Sequence, residues 1–276
     1  MKIIYEKCYT ETDKRIVEAL MFKNVIVKRP CKAMVDGLTG SPELGKPDYE
    51  LALKQHDAYI EAMKKCGVEV TVVEADEAFP DSCFVEDVAV LTEKCAIITN
   101  PGAKTRNREI ALIEPIISKF YSAETIEHIQ SPGTLEGGDV MMVDQHFYVG
   151  LSDRTNLEGA NQLIAILEKY GYTGSIMNVI DLLHLKTGMT YLGNNHLVVS
   201  KRFSACPELA KFDQIIADYD EEYCANCINM NGTIIAPEGY PNTLAAIKEK
   251  GYQVLTVPMS EFKKIDGGLT CLSLRF

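Results

Sequence analysis

A cysteine, a histidine and several carboxylates stand in apolar settings at widely separated points of this chain. Cys271 closes the stretch Asp266-Gly267-Gly268-Leu269-Thr270-Cys271, and upstream lie Phe84-Val85-Glu86-Asp87, Leu135-Glu136-Gly137-Gly138-Asp139 and Leu183-His184-Leu185-Lys186. A thiolate is a nucleophile, and an imidazole can move the protons its chemistry requires. Acids inside apolar runs cost free energy to bury, so they exist to hold a partner, usually a cationic one. Together these residue types point to a cysteine hydrolase for a positively charged substrate.

Each candidate also has a plainer reading. Glu86 and Asp87 are adjacent, so an extended strand would point them to opposite faces. They serve one site only if a strand end or a bend turns them together. Paired carboxylates match a planar guanidinium, but a structural salt bridge to Lys or Arg would satisfy them too. Glu136 precedes a Gly-Gly turn at the start of a strand and can orient a histidine; a turn with solvated acids has the same composition. Among five histidines, His184 alone is flanked by Leu182, Leu183 and Leu185, while His56, His128, His146 and His196 have polar neighbours. A core histidine without chemistry would look similar. Cys271 follows a Gly-Gly turn that frees backbone N–H groups, or it is a small buried hydrophobe in the last strand.

Composition narrows the classes. The 276 residues allow one large domain or two small ones, with enough chain for a substantial core. The apolar fraction of 46% and the charged fraction of 24% are those of a globular protein. A formal charge of −11 argues against nucleic acid, since phosphate binding needs clustered Lys and Arg. No apolar run is long enough for a transmembrane helix. Met1-Lys2-Ile3-Ile4-Tyr5-Glu6-Lys7 becomes charged again too soon for a secretory leader. Nine cysteines, an odd number, then fit reduced thiols in the cytoplasm. Cys224-Ala225-Asn226-Cys227 has no second CxxC or His pair to complete a zinc site. It leads into a strand from Ile228 rather than a helix, so its thiols read as buried structural groups.

The elements that must position these residues form a weak repeat. Short apolar strands recur at Asn24–Lys28, Cys95–Thr99, His146–Gly150, Asn195–Val199 and Gly232–Ala236. Helical periodicity covers Tyr49–Lys65, Asn107–Phe120, Asn156–Tyr170 and Asn242–Lys250, with Gly67, Gly171 and Gly251 as stops. Strand and helix thus alternate about five times without a linker. That predicts a single α/β domain over residues 1–276 built from similar units. Met34–Pro47, rich in Gly, Pro, Ser and Asp, reads as a long loop, either a lid or a plain surface connection.

In combination, the motifs resemble the dimethylarginine dimethylaminohydrolase family, within the guanidino-group-modifying superfamily of arginine deiminases and amidinotransferases. The resemblance is strongest over Pro80–Glu109, Thr134–Asn156, His184–Thr187, Asn226–Asn229 and Met259–Ser273. It implies a five-unit pseudo-symmetric α/β propeller, the pentein fold. It implies that Cys271 is the nucleophile, His184 the general acid/base and Glu136 the acid supporting it. Asp81, Glu86 and Asp87 match the acidic pocket positions, with Glu86 and Asp87 nearest the guanidinium. Arg106 and Arg154 match arginines for the substrate's α-carboxylate, the Ile265 carbonyl matches an acceptor for its α-amino group, and Leu38 matches a lid residue.

The implied chemistry is covalent and uses no metal or organic cofactor. Cys271 attacks the guanidinium carbon, His184 protonates the departing amine, and water hydrolyses the S-alkylthiouronium to citrulline. The implied partner is a small guanidino molecule, with no nucleic acid or membrane involved and the oligomeric state left open. Arginine deimination, or hydrolysis of citrulline or another ureido compound, would use the same residues. Arg106 and Arg154 argue against agmatine, which has no carboxylate. A silent binding protein for arginine-like ligands belongs to a different class, and retention of Cys271, His184 and Glu136 together argues against it.

Overall fold

The computed structural model describes residues 22–179 and 182–276. The Met1–Lys7 stretch, read above as too charged for a leader, lies outside them. Among the described residues no helix is long and apolar enough to cross a membrane.

Among the described residues, fifteen strands form five separate three-stranded sheets. The middle strands are β1 (Asn24–Lys28), β4 (Ala96–Ile98), β7 (His146–Leu151), β10 (His196–Ser200) and β13 (Thr233–Pro237). These are the five apolar runs of the sequence, and residues such as Val25, Ile26, Ile97, Val149, Val198 and Ile234 have no exposed surface. They are continuously apolar, rather than alternating, because both faces of the strand are covered. Each middle strand runs parallel to one outer neighbour: β2 (Glu69–Val73), β5 (Ile126–His128), β8 (Thr173–Asn178), β11 (Asp213–Ala217) or β14 (Gln253–Val257). It runs antiparallel to one inner neighbour: β3 (Ala89–Leu91) with β4, β6 (Val140–Val143) with β7, β9 (Met189–Gly193) with β10, and β12 (Ile228–Met230) with β13. The first sheet takes its inner strand from the other end of the chain. There β15 (Leu274–Arg275) pairs with β1, Val25 opposite Arg275 and Ile26 opposite Leu274. The unit containing the nucleophile candidate therefore closes a ring of five.

Parallel neighbours need a crossover. Helices α1 (Tyr49–Lys65), α2 (Ile110–Ile117), α3 (Leu157–Lys169) and α4 (Pro241–Glu249) supply four of them, while α5 (Ser260–Lys263) leads toward Cys271. Asp48 caps α1 through Leu51 N–H (3.0 Å), and Asn156 caps α3 through Gly159 N–H (2.8 Å). Three expectations need correction in detail. The fourth crossover, β10 to β11, carries only a short 3-10 turn, Pro207–Leu209, so strand and α-helix alternate four times. Helix α2 is shorter than Asn107–Phe120 and contains Pro115. The Phe84–Leu91 run is not one strand, because Val85–Val88 is a 3-10 turn and only Ala89–Leu91 is extended.

That turn has counterparts. Gly137–Asp139 precedes β6, Leu185–Thr187 precedes β9, Glu222–Ala225 precedes β12, and Thr270–Leu272 precedes β15. Each unit thus sends one 3-10 turn toward the centre just before its inner strand, and successive turns pack against one another. The turn at Cys271 is also held from outside. The Tyr59 hydroxyl on α1 lies 3.0 Å from the Leu269 carbonyl, to which it donates, and 2.7 Å from Ser273 Oγ; all three residues are buried. Tyr59→Phe removes these bonds while keeping the ring. It should lower stability by about 1–2 kcal/mol, measured as a shift in urea midpoint; an unchanged midpoint would show that the hydroxyl carries no load.

Candidate functional site

The turns place the candidate residues around one pocket. Its floor and walls include Cys271, His184, Glu136 and Asp87, with Asp81, Arg106 and Arg154 beside them and Leu38 and Ile265 at the mouth. Its free volume is about 40 Å³, room for only a few waters. A wider vestibule of about 1050 Å³ lies outside it and shares Leu38, Arg154 and Asp266. The Lys32–Pro47 segment brings Leu38 to the pocket and is tied to the residues around it. Leu38 N–H donates to Asp81 Oδ1 (2.9 Å), Thr39 Oγ1 to the Lys264 carbonyl (3.0 Å), and Ser41 Oγ to Asp266 Oδ1 (3.1 Å); Gly40 N–H donates to Asp266 Oδ2. Sequence reasoning did not mark Asp266 as a latch. Its sequence signal is an acid in the turn next to Gly267-Gly268.

His184 and Glu136 form a hydrogen-bonded pair suited to moving protons. His184 Nε2 lies 2.8 Å from Glu136 Oε2 and 4.0 Å from Asp87 Oδ1. The His184 Nδ1 has no partner among the described residues. The other Glu136 oxygen, Oε1, accepts from Ala103 N–H (2.9 Å) and lies 3.7 Å from Arg154. Gly138 is glycine for a steric reason: a Cβ there would stand 2.7 Å from the His184 ring. Asp139, named above only as part of its motif, fixes the histidine's backbone. Its Oδ1 accepts from Leu185 N–H (2.9 Å) and its Oδ2 from Ser152 Oγ (2.6 Å).

The acids are buried: Glu86 and Asp87 are each 3% exposed and Glu136 1%. The 3-10 turn resolves the opposite-face problem by sending Glu86 and Asp87 to different partners around the same centre. Asp87 Oδ2 pairs with Arg106 Nη1 (2.5 Å), and Asp87 Oδ1 accepts from Gly138 N–H (3.1 Å). Glu86 does not line the pocket wall. It faces the neighbouring central cavity of about 150 Å³, where its Oε1 meets Lys186 Nζ (2.5 Å) and Arg275 Nη2 (2.6 Å), and its Oε2 is buried without a partner. Lys186 and Arg275 were not marked as partners, although each is a charge in an apolar run. Arg106 sits beneath Asp87 rather than at the mouth, with donors bonded to Glu109, Asp87 and the carbonyls of Asp81 and Phe84. Arg154, with 23% of its side chain exposed, is the freer cation.

Cys271 is held at the end of the Gly-Gly turn. Gly268 N–H points at its Sγ (3.4 Å), Asn226 Oδ1 accepts from Thr270 N–H (2.9 Å), and Tyr223 donates to the Gly267 carbonyl (2.6 Å). A Cβ on Gly268 would stand 2.2 Å from the Asn226 amide. This is the role of Asn226 within its CxxC; Cys224 and Cys227 are buried, and burial pushes both thiols up, Cys227 to about 12.

Burial, then Glu86 and Asp87, push the Cys271 thiol up to about 12, against the opposing pull of Gly268 N–H and Lys186. Burial alone would lower the His184 imidazolium, but Asp87, Glu136 and Asp139 outweigh it and raise it to about 9. The resting site therefore holds a neutral thiol and a charged imidazolium in a surplus of carboxylate, and a cationic ligand would offset that surplus. Asp87, Glu136 and His184 offer ligand atoms within 4.8 Å of one another. Their charges are already matched by Arg106 and by the His184–Glu136 pair, which leaves a metal ion to compete with buried internal partners.

The raised His184 value carries a sign. Its folded-state value lies above the unfolded one of about 6.5, so its contribution to stability is complete below that pH and is lost as pH rises through about 9. In urea titrations across this window, His184→Gln should lose less stability than the unsubstituted protein. Parallel curves would show that the folded protein does not hold this proton.

Known proteins resemble the chain over nearly its full length. A profile of the family described as "N,N dimethylarginine dimethylhydrolase, eukaryotic" matches residues 45–236. The N(G),N(G)-dimethylarginine dimethylaminohydrolase of Pseudomonas aeruginosa is 51% identical over 256 residues, covering 93% of this chain and 100% of that protein. The enzyme of the same name from Streptomyces coelicolor is 34% identical over 254 residues, covering 92% of this chain and 96% of its own. The crystal structure of a cysteine-to-serine mutant of the Pseudomonas aeruginosa enzyme with citrulline superposes with a TM-score of 0.91 at 50% identity, over 93% of this chain and 100% of that one. The N-terminal domain of a cyanobacterial arginine dihydrolase, at 19% identity and a TM-score of 0.83 over 92% of this chain and 97% of that one, shares the fold.

Proposed function

The chain belongs to the dimethylarginine dimethylaminohydrolase family, and on that footing we propose that Cys271, His184 and Glu136 carry its reaction. The activity is hydrolysis of N-methylated arginine to citrulline and a methylamine. One observation supports the assignment of residues above the others. A partly buried cysteine and an imidazolium–carboxylate pair share a pocket with more acidic than free basic charge, an environment suited to a guanidinium.

The substrate cation enters beneath Leu38 with its guanidinium toward Asp87, while the Glu86 charge acts on it from the neighbouring cavity. Its charge offsets the carboxylates that hold the Cys271 thiol up, so the thiolate forms on binding and its proton leaves to solvent. The thiolate adds to the guanidinium carbon. His184 gives its proton to the departing methylamine as the C–N bond breaks, leaving an S-alkylthiouronium on Cys271. Neutral His184 then takes a proton from water as the water attacks, and collapse breaks the C–S bond to release citrulline, the remaining hydroxyl proton passing to the departing sulfur and restoring the Cys271 thiol. Glu136 keeps the imidazole oriented and stabilises its charged form through the 2.8 Å bond.

Arg154 takes the α-carboxylate, since its guanidinium is partly exposed and bonded only loosely. Arg106, saturated by buried acceptors, joins it only by exchanging one of them, and otherwise holds Asp87 in place. The Ile265 carbonyl accepts from the α-amino group, and Leu38 with Asp81 closes the lid over the chain of methylenes.

The test is citrulline formation from asymmetric dimethylarginine, monomethylarginine and arginine, compared as kcat/KM. The methylated substrates should lead; a preference for arginine would overturn the substrate assignment while leaving the nucleophile in place. Cys271→Ser should abolish turnover. Arg154→Gln should raise KM by about tenfold or more with kcat little changed, because the α-carboxylate is held equally in ground and transition states.

A further inference from the structure

We propose that Arg275 is a positioning residue for this reaction, joining the Cys271 turn and the Glu86 carboxylate into one rigid unit. The inference rests on the assignment of Cys271 as nucleophile and of Glu86 as one of the carboxylates whose charge draws the cation toward it.

These two groups come from opposite ends of the chain. Glu86 lies on the turn before β3, and Cys271 on the turn before β15. Their turns pack together, but packing of short turns does not fix an ångström-scale offset between a sulfur and a carboxylate. Among the described residues, the only hydrogen bond between segment 81–91 and segment 267–276 is Arg275 Nη2 to Glu86 Oε1 (2.6 Å). The other arm of the same guanidinium holds the nucleophile's turn. Nη1 donates to the Thr270 carbonyl (2.9 Å), the Ser273 carbonyl (3.0 Å) and Ser273 Oγ (2.8 Å), on both sides of Cys271.

The division of labour on Glu86 supports the same conclusion. Arg275 and Lys186 both bond Oε1, and Oε2 stays buried and unpartnered. A buried carboxylate oxygen left empty is costly, and two cations on the other oxygen fix which one stays empty. Arg275 thereby sets where the vacant acceptor stands relative to Cys271. The task needs a planar fork: a lysine at the same place could reach the carboxylate or the turn's carbonyls, but its point charge cannot hold both in fixed geometry.

Arg275→Lys keeps the charge and removes the fork. Two alkylating reagents with the same leaving group read the consequence without any substrate: cationic 2-chloroacetamidine and neutral 2-chloroacetamide, each followed on the thiol that disappears in Cys271→Ser. The unsubstituted protein should react far faster with the cationic reagent. In Arg275→Lys the ratio of the two rate constants should fall by about tenfold or more, and kcat per reactive Cys271 thiol by about a hundredfold, the scale of a misplacement of about 1 Å. Misfolded molecules would lower the number of reactive thiols but move neither quantity. Should Arg275→Lys not fold, Ser273→Ala, which removes one acceptor of Nη1, should lower the same ratio severalfold. An unchanged ratio with unchanged kcat per thiol, or equal slowing by both reagents, would overturn the proposal. A lowered ratio in a protein that makes no citrulline from methylarginine would uphold the role of Arg275 while removing the assigned reaction.

Discussion

Everything at this site depends on one constraint: charges taken out of water must be matched where they stand. Four carboxylates, Asp87, Glu136, Asp139 and Glu86, lie almost fully buried around His184 and Cys271 and act on their charges. Each has at least one cation or donor from another unit of the ring, while Arg106 and Ser152 come from the acid's own unit. Asp87 has Arg106 and Gly138 N–H, Glu136 has His184 and Ala103 N–H, Asp139 has Leu185 N–H and Ser152, and Glu86 has Lys186 and Arg275. Such clusters contribute little net stability, because desolvation cancels most of the attraction. What they provide here is fixed geometry around a vacancy for one more cation.

The five-fold repeat explains how distant residues meet. A three-stranded unit whose inner strand is preceded by a 3-10 turn, repeated around an axis, brings five turns to the centre. One carries Glu86 and Asp87, the next Gly138 and Asp139 with Glu136 leading in, the next Lys186 with His184 leading in, the fourth leads out to Asn226, and the last carries Cys271. A 3-10 turn is short and tightly wound, so consecutive residues fan outward instead of alternating across a pleat. That is why adjacent Glu86 and Asp87 can serve the same centre with different partners. Closure of the first sheet by β15 places Cys271 beside the acids from the opposite end of the chain.

The resting electrostatics fit an enzyme switched on by its substrate. With the thiol up near 12 and the imidazolium up near 9, the unliganded site holds an unreactive cysteine and a loaded acid. A neutral reagent gains nothing from the surrounding carboxylates, whereas a guanidinium offsets the charges that suppress the thiolate. On the proposed assignment of Cys271 as nucleophile, specificity for a cation enters its activation as well as its binding, with the Leu38 segment bonded to Asp266 and Asp81 beside the site.

Several features were determined by the sequence alone. The five central strands are legible because they are buried on both faces, which leaves uninterrupted Val and Ile runs, and α1 and α3 because their periodicity is long and capped by Asp48 and Asn156. Cys271, His184 and Glu136 stand out because a reactive or charged residue in an apolar run needs a reason to be there. Only the tertiary structure decided what those residues face. The 3-10 turns were not legible, since a three-residue turn has no periodicity to detect and Phe84–Leu91 has the composition of a strand. The missing helix between β10 and β11 and the short α2 reflect local packing and Pro115, which pattern cannot weigh. Above all, the assignment of each buried acid to its cation depended on the fold. Arg106 lies beneath Asp87, and Lys186 and Arg275 share one oxygen of Glu86, because ring closure sets distances between residues up to 189 positions apart, and no local sequence pattern encodes such a distance.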